Sequence, residues 1–357
     1  MFSSDLSKKK IILVLSGGGM RGMAHIGVIR AIESLGINIS EYVGASIGSL
    51  VGAMAAGGVK AQEIEETACR IRKQDILDLD YWGFLWKRGR IQSAYKGKKL
   101  HDFIKGTLPI DSFDALPKPF FANAVDINTG VNIFWGLEKL RDLPLHDAVY
   151  ASCAIPGIFP PKKIGGNYYV DGGVVDPFPI KFVKLRKPDI IIAVNLCHSL
   201  PKADNNIPEQ GLAALIAKAN AIQCNAITDL NLHDCVEYPL ILINIDASRV
   251  GVLDFDHSHE LVEIGQQEAM KILNEHPLLS PKKYWLFSRP SRKPQVKISI
   301  DTARCIGCGS CHVNCPTQNF SLKEDKAKVV SANNPECMLD MACLKHCPGR
   351  CISFELQ

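Results

Sequence analysis

A chain of 357 residues with 46% hydrophobic content can bury a large core, and its length points to two or three globular domains. A formal net charge of +4, spread over 41 basic and 37 acidic residues, is too weak and too dispersed for a nucleic-acid binder, and no motif of that class is present. No run approaches the roughly 20 apolar residues that cross a bilayer.

Lys8, Lys9 and Lys10 resemble the start of a signal peptide, but the apolar run behind them, Ile11 to Leu15, is too short for one and enters Gly17-Gly18-Gly19 directly. The expected location is therefore the cytoplasm. Ile11 to Ser16 reads as a strand and Met23 to Leu35 as a helix with apolar residues at helical spacing, closed by Gly36 at C′. Between them lies Gly17-Gly18-Gly19-Met20-Arg21-Gly22. It is not a Walker A loop, since no Gly-Lys-Ser/Thr follows, and Glu41 precedes the second strand rather than closing it as a dinucleotide site requires. Three consecutive glycines do offer backbone amides that converge on one small space, as an oxyanion hole requires. His25, on the helix that follows, reads as a packed core histidine rather than a catalytic one.

The second strand runs into Tyr42-Val43-Gly44-Ala45-Ser46-Ile47-Gly48, and small apolar residues follow from Ser49 to Gly58. A Gly-x-Ser-x-Gly on a strand-to-helix turn lifts the serine hydroxyl above the sheet and marks Ser46 as a nucleophile. Taken alone, the same letters fit a glycine-rich helix start with Ser46 as its N-cap. An amphipathic helix is expected over 60–73. From Asp80 to Arg90, four aromatics abut three cations, a mixture suited to peripheral contact with a membrane or to an ordinary packed loop. Pro119 to Asp126 and Val131 to Trp135 form an expected strand pair turning at Asn128-Thr129-Gly130, with helix from Pro144.

Ala151 to Pro161 reads as a proline-punctuated loop. After it, Tyr168-Tyr169-Val170-Asp171-Gly172-Gly173 puts a carboxylate at a strand end, where an α/β sheet places its active site; an aspartate capping a turn is the plainer reading. Strands at 190–196 and 240–245, with helices at 210–229 and 261–276, complete an alternation that calls for a sheet covered on both faces.

Together, Gly17 to Gly22, Gly44-Ala45-Ser46-Ile47-Gly48, Ala154-Ile155-Pro156-Gly157-Ile158-Phe159-Pro160-Pro161 and Asp171-Gly172-Gly173 resemble the ordered blocks of the patatin-like phospholipase family, its bacterial members especially. The resemblance implies a three-layer α/β/α sandwich over residues 1–288. It also implies a serine hydrolase of phospholipase A, lysophospholipase or esterase type, acting on a lipid or acyl-ester substrate. Its dyad would be Ser46 and Asp171 without histidine, with Gly17, Gly18, Gly19, Met20, Arg21 and Gly22 as the oxyanion-binding loop. Asp171 must then take the serine proton directly, so burial has to raise its basicity above that of a free carboxylate. Arg21 either stiffens the loop or sits near a lipid phosphate.

Residues 289–295 read as a polar, proline-broken linker. Eight of the 13 cysteines follow it, and in a cytoplasmic chain such a cluster holds metal rather than disulfides. Cys305, Cys308, Cys311 and Cys315-Pro316 have the spacing C-x2-C-x2-C-x3-C-P. Cys337, Cys343 and Cys347-Pro348 repeat it with Asp340 at the second cysteine position. This resembles a bacterial-type ferredoxin with two iron-sulfur clusters, implying a small α+β domain over 296–357 in which Val296 to Ile300 pairs with Cys351 to Leu356.

Because the last cysteine of each run serves the other cluster in that family, the resemblance assigns Cys305, Cys308, Cys311 and Cys347 to one 4Fe-4S cluster. Cys315, Cys337 and Cys343 go to the second. Its fourth position is Asp340, an empty corner that leaves a 3Fe-4S cluster, or Cys351; aligning the repeats sets Cys351 opposite Asn319, which is not a ligand position and favours the first two. Two zinc sites are the alternative, less well matched by three successively spaced cysteines ending in Cys-Pro. The expected protein is a hydrolase carrying a redox-sensing or electron-transfer module with a redox partner protein. The alternative is an electron carrier with the hydrolase body as scaffold.

Overall fold

Ile11–Leu15 is uniformly apolar because it becomes a central strand, covered on both faces. The computed structural model describes residues 6–80, 93–196, 207–233, 238–274, 276, 278–279, 296–313, 315, 317–323, 326–333, 342–345 and 347–356. The chain divides into two units, Met1–Pro281 and Lys282–Gln357. The aromatic and cationic stretch Tyr81 to Arg90, the 289–295 linker, Cys337 and Asp340 lie outside the described residues.

The strands of the first unit are β1 (Ile11–Leu15), β2 (Glu41–Gly44), β3 (Phe120–Asp126), β4 (Asn132–Trp135), β5 (Lys162–Ile164), β6 (Asn167–Asp171), β7 (Ile190–Asn195) and β8 (Leu240–Asn244). They form one sheet in the order β5-β6-β3-β2-β1-β7-β8, with β4 also on β3. From β3 to β8 neighbouring strands are parallel, whereas β4 and β6 run antiparallel to β3 and β5 antiparallel to β6. The helices are α1 (Met23–Ser34), α2 (Ile47–Ala56), α3 (Ala61–Arg70), α4 (Lys73–Ile76), α5 (Lys98–Thr107), α6 (Leu145–Cys153), α7 (Leu212–His233) and α8 (Ser258–Leu273).

Alternation along β1 separates two cores. Ile11, Leu13 and Leu15 join Ile26 of α1, Leu50 of α2, Val149 of α6 and Leu261 of α8. Ile12 and Val14 join Phe178, Ile180 and Phe182 on the other face, where Leu232 of α7 also packs. The sheet is thus the middle layer of three, as expected. Several expected boundaries move: the helices expected over 210–229 and 261–276 run over Leu212–His233 and Ser258–Leu273. The helix over 60–73 breaks at Ile71, which is extended, and restarts as α4 with the Arg72 amide donating to Asp75 Oδ2 (2.9 Å). The expected loop from Ala151 instead begins as the last turn of α6, which stops at Cys153, ahead of the restriction that Pro156 places on Ile155.

Glu41 opens β2 at the end opposite Ser46. Its carboxylate accepts from Arg186 Nε and Nη2 (2.8 and 2.9 Å) and pairs with Lys10 Nζ (2.7 Å). Burial pushes its pKa up, but these cations more than offset that and hold it below the ordinary value. It is a strand-end anchor with no resemblance to a ribose-binding acid.

The second unit contains β9 (Val296–Ile300), β10 (Phe320–Lys323), β11 (Lys326–Val329) and β12 (Ile352–Leu356), with α9 (Ser310–Val313) and α10 (Ala342–Lys345). β9 pairs antiparallel with β12, matching the expected pairing of the domain's two ends, and β10 pairs with β11. Its core consists of Ile298, Phe320, Ala327 and Ile352 together with Cys305, Cys311, Cys343 and Cys351.

Two helices are held at backbone contact. A Cβ on Gly27 of α1 would lie 1.9 Å from the Val262 carbonyl oxygen, and one on Gly265 of α8 would lie 2.0 Å from that of Ala24. Gly27→Ala and Gly265→Ala should each destabilise the first unit by roughly 1–3 kcal/mol or more, since backbone rather than flexible side chains must yield. Gly106→Ala, which meets open space, is the control. Urea midpoints check this; an unchanged midpoint for both glycine variants would show that the helices separate freely.

Candidate active site and iron-sulfur site

β3 brings the dyad residues together. In register, Gly44 at the end of β2 faces Ala122, and Asp171 at the end of β6 faces Ala124. Two strands therefore meet nearly end to end against one neighbour. Ser46 lies just beyond Gly44 with φ 51° and ψ −127°, a strained conformation for a residue with a Cβ. Its surroundings enforce it. The Ser46 amide donates to Ser152 Oγ (2.9 Å), and Ser49 Oγ donates to the Ser46 carbonyl (2.6 Å). A Cβ on Gly44 would lie 2.3 Å from the Gly48 oxygen, and one on Gly48 would lie 2.5 Å from the Leu15 oxygen, so both motif glycines are required by close backbone approach.

Ser46 Oγ donates to Asp171 Oδ2 at 2.6 Å, and the Gly173 amide donates to Asp171 Oδ1 at 2.7 Å. The plainer reading of Asp171 and the catalytic one are thus compatible: one oxygen caps the turn after β6 and the other holds the serine. Both residues are buried, at 6% and 5% exposure. Burial raises the Asp171 carboxyl to about 6, against the two hydrogen bonds, which act to lower it.

The six loop residues divide by what their backbone does. The Gly17 amide donates to the Pro177 oxygen (2.8 Å) and that of Met20 to the Val252 oxygen (2.9 Å), so these two are already engaged. The amides of Gly18 and Gly19 have no partner among the described residues. Gly19, Met20, Arg21 and Gly22 form a 3-10 turn. Gly17 borders the serine, since a Cβ there would lie 3.4 Å from Ser46 Cβ. Arg21 Nε donates to the Val250 oxygen (2.7 Å), tying the loop to the segment ahead of α8. His25 is fully buried with Nε2 2.8 Å from the Ser16 oxygen, and burial lowers its pKa to about 4. It is a neutral donor that braces the loop from beneath.

Reading the sequence missed the groups that hold this turn. Ser152, expected in a loop, lies in the last turn of α6. Asn123 Nδ2 donates to the Asp176 oxygen, and Asn231 Nδ2 of α7 donates to Asp176 Oδ1, both at 2.8 Å. A Cβ on Gly172 would lie 2.2 Å from Asn123 Oδ1, so asparagine and turn fit only because glycine is there. Burial lifts Asp176 to about 6 as well. Asp176 lies only five residues past Asp171, and that proximity was the one signal available in the sequence.

In the second unit, Cys305, Cys308, Cys311 and Cys347 line one cavity, joined by Cys351. Gly307 and Gly309 have φ of 70° and 74°, which lets the chain curl so that the three closely spaced thiols converge. Backbone amides point at sulfur: Ala327 N to Cys305 Sγ and Cys351 N to Cys347 Sγ at 3.4 Å, and Asn319 N to Cys315 Sγ at 3.3 Å. A soft, thiol-walled pocket with amide donors suits a 4Fe-4S cluster held by four thiolates. Cys351, the third candidate for the fourth position of the second set, lines the cavity of Cys305, Cys308, Cys311 and Cys347.

Two family models match the chain: patatin-like phospholipase over residues 13–184 and 4Fe-4S dicluster domain over residues 297–348. The chain carries a patatin-like phospholipase domain followed by a 4Fe-4S dicluster domain. An uncharacterized NTE family protein of Mycobacterium tuberculosis (strain ATCC 25618 / H37Rv) is 30% identical over 220 residues, 60% of this chain and 58% of the relative. The lysophospholipase NTE1 of Debaryomyces hansenii is 30% identical over 210 residues, 54% of this chain and 12% of the relative. The chain thus spans less than two thirds of the length of these relatives. Among solved structures, VipD from Legionella pneumophila is similar with a TM-score of 0.42 and 15% identity, covering 75% of this chain and 67% of that one.

Asp171 in the patatin-like domain has a stability signature with a defined sign. Its folded pKa of about 6 is raised above the ordinary 3.8, so its contribution favours the fold below about pH 4 and is lost as pH rises through 6. Asp171→Asn should therefore stabilise the patatin-like domain by up to ~3 kcal/mol at pH 8 and by little at pH 4. Thermal melts of both proteins at the two pH values check this; a gain that is larger at pH 4 would contradict it.

Proposed function

We propose that the patatin-like domain hydrolyses a lipid-acyl or carboxyl ester, with Ser46 as nucleophile and Asp171 as direct proton acceptor. The observation that carries this is the 2.6 Å hydrogen bond from a hydroxyl on a strained turn to a carboxyl raised to about 6. A group with that pKa is mostly ionised at neutral pH yet basic enough to share a proton in flight. Ser46 Oγ attacks the ester carbonyl as its proton passes to Asp171 Oδ2. The tetrahedral oxyanion faces the amides of Gly18 and Gly19, which have no partner among the described residues, with the N-terminal end of α2 nearby.

Collapse expels the alcohol, which takes the proton from Asp171 and leaves acyl-Ser46. Water then attacks that ester while Asp171 again accepts a proton. Oγ departs with it, releasing the acid and restoring the dyad. The lysophospholipase name of the Debaryomyces relative supports a lipid ester as the substrate class.

For the second unit we propose two clusters. Cys305, Cys308, Cys311 and Cys347 hold the first; Cys315, Cys337 and Cys343 hold the second, with Asp340 as its fourth group. The clusters would supply one-electron chemistry that a redox partner protein reads or that biases hydrolysis.

Ser46→Ala should lower kcat on a chromogenic short acyl ester by about 10^3-fold or more, and Asp171→Asn comparably, with melting curves still cooperative. For the unaltered protein, kcat/KM should rise about tenfold per pH unit below about pH 6 and level off above it. A folded variant of either residue with full activity would remove the assignment. The metal reading is checked separately: purified protein should contain iron and acid-labile sulfide, and a zinc content without sulfide would overturn it.

A further inference from the structure

The two cysteine runs close with the same turn. Gln318, at φ 49°, precedes Asn319, whose amide donates to Cys315 Sγ at 3.3 Å; Arg350, at φ 45°, precedes Cys351, whose amide donates to Cys347 Sγ at 3.4 Å. The Gln318 and Arg350 amides donate in turn to the Cys315 and Cys347 oxygens, both at 3.0 Å. Equivalent positions carry different side chains. Asn319 is turned into its own unit's framework, with Nδ2 donating to the Ser331 oxygen (2.9 Å) and Oδ1 accepting from the Ser331 amide (3.0 Å). Cys351 has no such role: its sulfur lines the cavity of Cys305, Cys308, Cys311 and Cys347, 3.3 Å from Cys347 Sγ. A structural turn residue in the first repeat has become a thiol facing a cluster pocket in the second.

A 4Fe-4S cluster takes four thiolates, one for each iron, and this cavity offers five. From this surplus we infer that Cys351 is a reserve ligand of the first cluster, able to replace Cys347. The inference rests on the reading that this cavity holds a cluster. In the exchange, a Cys351 sulfur–iron bond would form as the Cys347 sulfur–iron bond breaks. The thiol proton of Cys351 passes to Cys347 Sγ, which lies within reach. Thiolate count, charge and iron oxidation state are unchanged, so no oxidant or reductant is consumed. The shared turn makes the exchange local, because both sulfurs sit on one five-residue turn, Cys347 to Cys351.

The test uses full-length protein purified without oxygen, with iron and acid-labile sulfide measured per chain and paramagnetic resonance spectra recorded after dithionite reduction. Cys351→Ala should keep the iron of the unaltered protein. Cys347→Ala should also keep it, with a displaced spectrum reporting the changed ligand, while the double variant should lose about four irons per chain. Equal loss in Cys347→Ala and the double variant would overturn the reserve role. So would loss in Cys351→Ala alone, which would make Cys351 the resident ligand. If Cys347→Ala does not accumulate as folded protein, Cys347→Ser with and without Cys351→Ala gives the same comparison; iron kept in both would count against the inference. Absence of iron and sulfide from the unaltered protein would instead refute the underlying cluster reading.

Discussion

The Ser46 to Asp171 hydrogen bond places opposing demands on one carboxylate. Under the proposed mechanism Asp171 must be ionised to accept a proton, yet it is enclosed at a sheet end where ionisation is penalised, and among the described residues Ser46 Oγ and the Gly173 amide compensate it. Burial outweighs the two hydrogen bonds, and the balance leaves it at about 6. Everything nearby serves to keep that geometry. Asn123 and Asn231 hold Asp176 and so the turn that carries Gly173, and Ser152 anchors the strained Ser46 from the other side.

Close backbone approach is the means by which the rest of the domain meets this requirement. Gly44 and Gly48 let the serine turn touch the end of β1, and Gly27 and Gly265 let α1 and α8 meet at backbone distance. α1 follows the glycine loop and α8 follows the segment whose Val250 and Val252 oxygens clamp it, so helix contact and loop position are coupled. The small residues of α2 belong to the same arrangement: a bulky helix could not lie against β2 while presenting its first turn to the dyad.

The two units solve different chemical problems. The patatin-like domain concentrates strain and desolvation on one hydroxyl and one carboxyl. The dicluster unit builds its core partly from the sulfurs themselves, with cysteines among its few buried side chains and amides directed at them.

Much of this was legible locally. The 17–22 loop, Ser46 between its glycines, Asp171 at a strand end and the cysteine spacing are short-range patterns whose meaning depends on chain geometry over a few residues, and the layered sheet followed from hydrophobic periodicity. What depended on distant partners was not legible. The partners of Ser46 lie 106 and 125 residues away, and which loop amides are engaged depends on Pro177 and Val252. Likewise, Cys351 could be aligned with Asn319 from the repeat, but only the tertiary structure directed its sulfur into the first cavity. Residue type and spacing determined the available chemistry, because bonding preferences are local; folding decided which groups are buried and paired, because burial and hydrogen bonding are properties of neighbours that sequence order does not specify.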